Sequence, residues 1–353
     1  MTYQPNFNDP RIRRRTIQAL SFATAMLSPN SSQWVSKALI DKPEHFGQSQ
    51  NVLSKYLRSK LLVCTDPTFS KQTGKCKEYK LNQTGVDELS QYLGIDPKSV
   101  VDGGPLFEKY RDQLETGNFE YNDKSSRLHH ALQHVRRDAK KQGLAKFGYK
   151  YNYDIKCCAV TLIHQHAQRL GMDSYLFALR EFMTKRTEIR NRIAKELEID
   201  AKTAKILLTA LLQGSYISHS PKTNVYKAVG GDHSKIEWLK QDEWLTEFRG
   251  DIKECWSYII PHMSYRTMID KNNRTRRVPV NGKQKSALYR DLERGVLDSV
   301  RTYLNNTDNK HLAEHDGWSC QKEIDIEELS SYVKTQTGFE IEIEFEVIEL
   351  ENH

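Results

Sequence analysis

Residues 149 to 160 change period in mid-run, and no other stretch constrains the fold as tightly. Tyr149, Tyr151 and Tyr153 follow the two-residue repeat of a strand, and the run stops at Asp154. From Cys158 the apolar positions take up helical spacing as far as Leu170. A strand that ends at an acid and leads into a helix leaves that carboxylate at a sheet edge. Leu312 to Cys320 carries a complementary signal: two short apolar stretches flank His315-Asp316-Gly317, and Asp-Gly is a tight-hairpin dipeptide. Such a hairpin can bring Asp316 beside Asp154 in one sheet. The implied class is α+β, a small antiparallel sheet with helices packed on it.

A chain of 353 residues predicts two or three domains of roughly 100 to 200 residues each. Net charge is +7, and because Glu340 to Glu351 is an acidic run, the remainder is more basic than the total. A polyanionic partner such as DNA or RNA fits that asymmetry, as does an ordinary solvated surface. Six cysteines, Cys64, Cys76, Cys157, Cys158, Cys255 and Cys320, contain no CxxC pair, which argues against a zinc ribbon or a disulfide framework and for reduced thiols. Met1 to Arg15 is polar and basic, and no apolar stretch reaches the roughly 18 residues of a span. A soluble cytoplasmic protein without a membrane partner is expected.

Helices are predicted over 11–28, after the capping pair Ser31-Ser32 (apolar at Trp34, Val35, Ala38, Leu39 and Ile40), and over 49–62. Val63-Cys64-Thr65, a Lys- and Gly-rich turn and Glu78 to Leu81 then read as a hairpin. Helices followed by a basic hairpin describe either a winged helix-turn-helix or a small helical domain packed on its neighbour. Val101 to Gly104 reads as a linker and Arg127 to Gln142 as a long basic helix. Further helices are predicted over 173–183, 185–197, 201–215, 284–304 and 325–337. Residues 271 to 277 read as an exposed basic loop, and Phe339 to Ile348 as a half-buried strand.

Asp154, Asp316 and Lys205 are the residues that gain meaning together. Mg²⁺ takes hard oxygen ligands and keeps several waters, so two carboxylates, the Ile155 carbonyl and substrate phosphates suffice to hold it. Lys205 sits on a helix read as Ile206, Leu207, Leu208, Ala210, Leu211 and Leu212 inward, with Lys202 one turn earlier. Alone, each acid is an ordinary turn residue and each lysine an ordinary solvated one.

The trio resembles motifs A, B and C of the family A DNA polymerases and the phage-type single-subunit RNA polymerases. Asp154 matches motif A, Lys205 with Gly214-Ser215 matches motif B, and His315-Asp316 matches motif C. Ser126-Arg127-Leu128 with Gln133, and Gln284, resemble flanking segments that touch the primer terminus and the duplex minor groove. The resemblance covers residues 120 to 350 with thin identity. It implies a right-hand palm with helical fingers: an N-terminal thumb or winged-helix-like unit over 1–100, palm over 101–170 and 284–353, and fingers over 171–283. It also implies two Mg²⁺ ions, with Mn²⁺ possible, held by Asp154, Ile155 and Asp316, and nucleoside triphosphates bound by Lys202, Lys205, Gln213, Gly214 and Ala159. A DNA template and an RNA or DNA product would meet Arg127, Gln284, His315, Arg274, Arg276 and Arg277.

Four positions depart from the family. Ala159 stands where DNA polymerases place a sugar-excluding glutamate, and Gln213 replaces the tyrosine before the motif B glycine. Ala201 replaces an arginine four residues before the lysine, and Gly317 replaces the second acid of motif C. These departures imply a minimal polymerase that accepts ribonucleotides, a primase or short-transcript RNA polymerase of phage or plasmid type, with no room for a proofreading domain. A DNA polymerase of the same group and a non-catalytic winged-helix replication initiator are the alternatives.

Overall fold

The computed structural model describes residues 3–27, 29–30, 33–35, 40–41, 46, 51–66, 77–95, 104–122, 126–133, 135–264, 267–269 and 275–349, with backbone alone at 33, 34, 104, 105, 267–269, 276 and 277. Helices and small antiparallel sheets give a mixed α+β chain. Helix α1 (Pro10–Met26) starts where the Asp9 side chain accepts the Arg11 N–H at 2.8 Å, with Pro10 in the first turn, where no donor is needed. Its buried face, including Leu20 and Phe22, shares one core with Leu53, Leu57 and Leu61 of α2 (Val52–Leu61). Strands β1 (Gln33–Val35), β2 (Leu62–Asp66) and β3 (Lys77–Leu81) form an antiparallel sheet in the order β1-β3-β2, and α3 (Gln83–Leu93) follows.

Gln33–Val35 corrects the start of the helix expected there, while Ser31, Ser32, Ala38 and Leu39 lie outside the described residues. An apolar pair such as Trp34-Val35 satisfies either period, and pairing with Lys77, Glu78 and Tyr79 decides for the strand. Gly104 opens α4 (Gly104–Lys109) rather than closing a linker, and α5 (Arg111–Thr116) follows. The long basic helix expected from Arg127 is confined to α6 (Arg137–Ala145). Ahead of it, His129 bridges to Asn122, Leu128 is buried and Arg127 is drawn into an ion pair, so tertiary contacts override helical spacing.

The four-stranded sheet has the order β7-β8-β4-β9, with β4 (Tyr151–Ile155), β7 (His311–Ala313), β8 (Gly317–Cys320) and β9 (Ile343–Val347). Register puts Tyr153 opposite Trp318 and Phe345, whose rings stack on it with centroids 5.7 and 5.6 Å away. The next residues along fall on the other face, where Asp154 lies opposite both Gly317 and Glu344. Helices α7 (Cys158–Arg169), α13 (Gly282–Asn306) and α14 (Ile326–Thr337) share the sheet's apolar core.

Between the sheet's parts the chain forms a helical layer: α8 (Phe177–Glu196), α9 (Ala201–Leu212), α10 (Asn224–Ala228), α11 (His233–Gln241) and α12 (Glu243–Ile259). The two helices expected over 173–183 and 185–197 follow each other within α8, parted at Lys185, where φ of −117° and ψ of 28° are not helical. Asp251 of α12 accepts the Leu179 N–H at 2.9 Å, so a buried carboxylate from one helix caps the start of another. The basic stretch after α12 carries a ribbon, β5 (Thr267–Ile269) with β6 (Thr275–Arg277), which places the Arg276 and Arg277 backbone in a strand; Arg274 lies outside the described residues. No described helix is long and apolar enough to cross a membrane.

Candidate active site

Asp154 is placed by an abrupt turn. After Ile155 the chain passes through Cys157, whose φ of 50° and ψ of 33° lie in the left-handed region unfavourable to a side chain, and enters α7 at once. In the turn just before β8, the Asp316 carbonyl accepts the Ile155 N–H at 2.8 Å, which ties the two acidic residues side by side. Gly317 allows the approach. A Cβ there would lie 2.6 Å from the Tyr153 carbonyl oxygen and 3.3 Å from Asp154 Oδ1. A larger side chain, an acid included, therefore does not fit at this position.

The two carboxylates share a cleft of about 360 Å³ with Lys205, Gln213, Arg127 and Tyr289. Although Asp154 presents an exposed surface, desolvation by the cleft walls raises its pKa, and the charge of Asp316 raises it further against the pull of Lys205 and Arg186. Asp316 is also raised, chiefly by burial. Among the described residues no group of three or more His, Cys, Asp or Glu is arranged to hold a metal. Two crowded carboxylates and the Ile155 carbonyl nonetheless fit a hard dication that takes its remaining oxygens from water and phosphate.

Lys205 comes from α9. Its Asp200 cap accepts the Thr203 N–H at 2.8 Å, and Leu207, Leu208 and Leu211 are buried while Lys205 is exposed. Ile206, expected inward, is half-exposed. The helix ends in a left-handed Gly214 at φ 84°, where the Gly214 N–H donates to Leu211 and the Ser215 N–H to Ala210, the paired bonds that stop a helix at glycine. Gln213 and Ala159 line the cleft; Lys202, one turn before Lys205, is exposed outside its lining.

Beneath the acids, Arg127 makes a two-point ion pair with Glu293 of α13 (2.6 and 3.0 Å), and the Tyr289 hydroxyl donates to the same carboxylate. Glu293 is 1% exposed. His315 has its pKa pushed down to about 4 by burial and by Arg127, and the Gln133 amide lies 3.0 Å from its Nε2. That shift leaves the imidazole uncharged at neutral pH, held against Gln133. Gln284 does not line the cleft; its side-chain oxygen accepts the Asn281 N–H at 3.1 Å in the capping box of α13.

Four residues escape a reading by motif. Arg186 and Arg190 of α8 line the cleft together with Phe182, and the i, i+4 spacing of 186 and 190, both past the kink at Lys185, is the signal that puts the two arginines on one stripe. Glu344 of β9 pairs with Arg186. Glu293 carries no local signal. A second pocket of about 300 Å³ opens on the other side of the acids, lined by Arg137, Lys140 and Lys141 of α6.

The chain matches no protein-family model and no curated protein. The geometry stands alone.

Proposed function

We propose that this protein is a template-directed nucleotidyltransferase with a palm-type active site, joining nucleoside triphosphates to a 3′-hydroxyl on a DNA template as a primase or RNA polymerase. The observation that carries the reading is the placement of Asp316, in the turn that leads into β8, beside Asp154 of β4, with both lining one cleft the size of a small ligand together with Lys205. The four-stranded sheet serves as palm and the helical layer as fingers. Asp154, Asp316 and the Ile155 carbonyl would hold two Mg²⁺ ions. When bound, these ions lower the pKa of the attacking hydroxyl and neutralise the leaving pyrophosphate.

The chain's own groups do the positioning. Lys205 offers its ammonium to the substrate phosphates as a point charge. The buried Glu293 carboxylate fixes Arg127 and Tyr289 at the cleft floor, where Arg127 faces the primer side. Ala159 leaves open the volume that a glutamate would close against a ribose 2′-hydroxyl, which favours ribonucleotides. Two cation-lined pockets flank the acids, consistent with a substrate on one side and a nucleic-acid strand on the other.

The N-terminal order of helix, strand, helix and hairpin, with sheet order β1-β3-β2, favours a winged-helix module holding duplex DNA. It also supports the second reading, a replication initiator without catalysis. Extension of a primed DNA template and synthesis without primer, tested with all four ribo- and all four deoxyribonucleotides, separate the readings. Metal-dependent incorporation is expected, lost by orders of magnitude in Asp154→Asn and Asp316→Asn. Site-specific footprinting without incorporation under either divalent ion would establish the initiator instead.

A further inference from the structure

We infer that α8 supplies an oligophosphate-binding subsite made of Arg186 and Arg190 opposite Lys205, and that Glu344 of β9 acts as its built-in competitor by holding Arg186 until a polyphosphate arrives. The inference rests on the polymerase reading for its choice of ligand, but its argument comes from charge. Arg190 faces the cleft with no hydrogen bond or ion pair among the described residues, and its Nε is buried without a partner. Lys205, across the cleft, likewise has no ion pair among the described residues. Unpartnered guanidinium N–H groups removed from water are unfavourable unless an anion completes them.

Helix α9 has Ala201 where the polymerases it resembles carry an arginine, and Lys205 is the one cation among the α9 residues that line the cleft. Arg186 and Arg190, one turn apart on α8, make up the missing positive charge from a different element. Arg186 is not idle. It pairs with Glu344, the residue opposite Asp154 in the sheet, so a carboxylate already occupies the position a phosphate oxygen would take. Guanidinium groups bind phosphate through paired, directed N–H bonds, and a multiply charged chain outbids one carboxylate. Exchange of Arg186 from Glu344 to a phosphate leaves the Glu344 charge beside Asp154, on the sheet face where the metal ions are proposed to bind.

The test measures binding of inorganic tripolyphosphate to the full chain by calorimetry in EDTA, with circular-dichroism melts as a folding control. Arg190→Gln is expected to weaken binding about tenfold or more, with Arg190→Lys in between. Glu344→Gln is expected to tighten it severalfold, and Arg186→Gln to abolish that gain in the double variant. A merely structural Glu344 predicts weaker binding, so tightening is the decisive sign. In extension assays Glu344→Gln should lower the nucleotide KM without raising kcat.

Absence of tripolyphosphate binding in the wild type, wild-type affinity in Arg190→Gln, or unchanged or weaker binding in Glu344→Gln overturns the inference. Binding as described with no incorporation removes the polymerase reading and leaves the anion site standing. Incorporation with an unaltered nucleotide KM in Arg190→Gln does the reverse.

Discussion

Gly317 governs how closely the two acids approach, because its missing side chain leaves room for the Tyr153 carbonyl and the Asp154 carboxylate. Alanine at this position must push the strands apart. Overpacking of this kind typically costs about 1–3 kcal/mol, and a displacement near 1 Å at reacting groups costs about a hundredfold in rate. Gly317→Ala is expected to show both losses in urea unfolding and in extension assays; a variant with wild-type melting and turnover would mean the strands are spaced more widely. The acids also carry a stability signature. Both are held above the ordinary carboxylate value of 3.8. A raised acid keeps its proton longer in the folded state than in the unfolded one, so stability falls as pH rises from about 3.8 through the raised value and stays low above it. Asp154→Asn removes that loss. Without divalent ions it is expected to melt higher than wild type at neutral pH and to converge with it in acid, while losing activity. A wild type whose pH–melting curve overlays that of the variant would show that neither burial nor the neighbouring charge holds the Asp154 carboxyl up.

Helix α13 shows what a single element contributes beyond its contacts with neighbours. Glu293 is buried, and its carboxylate satisfies Arg127 from the segment before α6 and Tyr289 one turn earlier on its own helix. Glu293→Ala leaves the guanidinium partly buried without its acid, and removing one member of such a pair typically costs about 3–5 kcal/mol. Equilibrium unfolding should show this, with Arg127→Met restoring part of the loss in the double variant; additive losses would mean the pair is uncoupled. Elements with a clean period were legible in the sequence. The tyrosine alternation of β4, the hairpin around Asp316 and the glycine-stopped α9 each announce themselves locally, and they carry the three residues of the motif. Segments whose conformation is decided at a distance were not. Trp34-Val35 takes its strand from β3, Arg127 and His129 leave the helical pattern for tertiary partners, and α10, α11 and α12 lie in a stretch where no helix was read. Arg186, Arg190, Glu293 and Glu344 reach the site from three separate elements, so only packing brings them together.

At the scale of the molecule, the +7 net charge is not spread evenly, and the described acids of the C-terminal run are largely tied to cations. Glu344 and Glu346 lie on the edge strand β9 and Glu342 just before it, and each holds a cation: Glu342 with Lys156, Glu344 with Arg186, and Glu346 with both Arg137 and Lys141 at 2.6 and 2.7 Å. Arg137 and Lys141 line the second pocket beside Asp154 and Asp316. Strand β9 thus partly neutralises the face on which the proposed nucleic-acid partner would lie. Partly exposed ion pairs of this type are worth little and exchange readily. A polyanion can therefore take over the cations of α6 while Glu346 returns to water. If so, Glu346→Gln should strengthen binding of a short DNA duplex by removing the competitor. Because two lysine or arginine groups then meet phosphate in place of a carboxylate, the plot of log affinity against log salt should steepen by about one to two units. Fluorescence anisotropy at several salt concentrations, without divalent ions, reads both quantities. Unchanged affinity and slope would place the nucleic acid elsewhere on the molecule, with the α6 cations serving only to fasten β9.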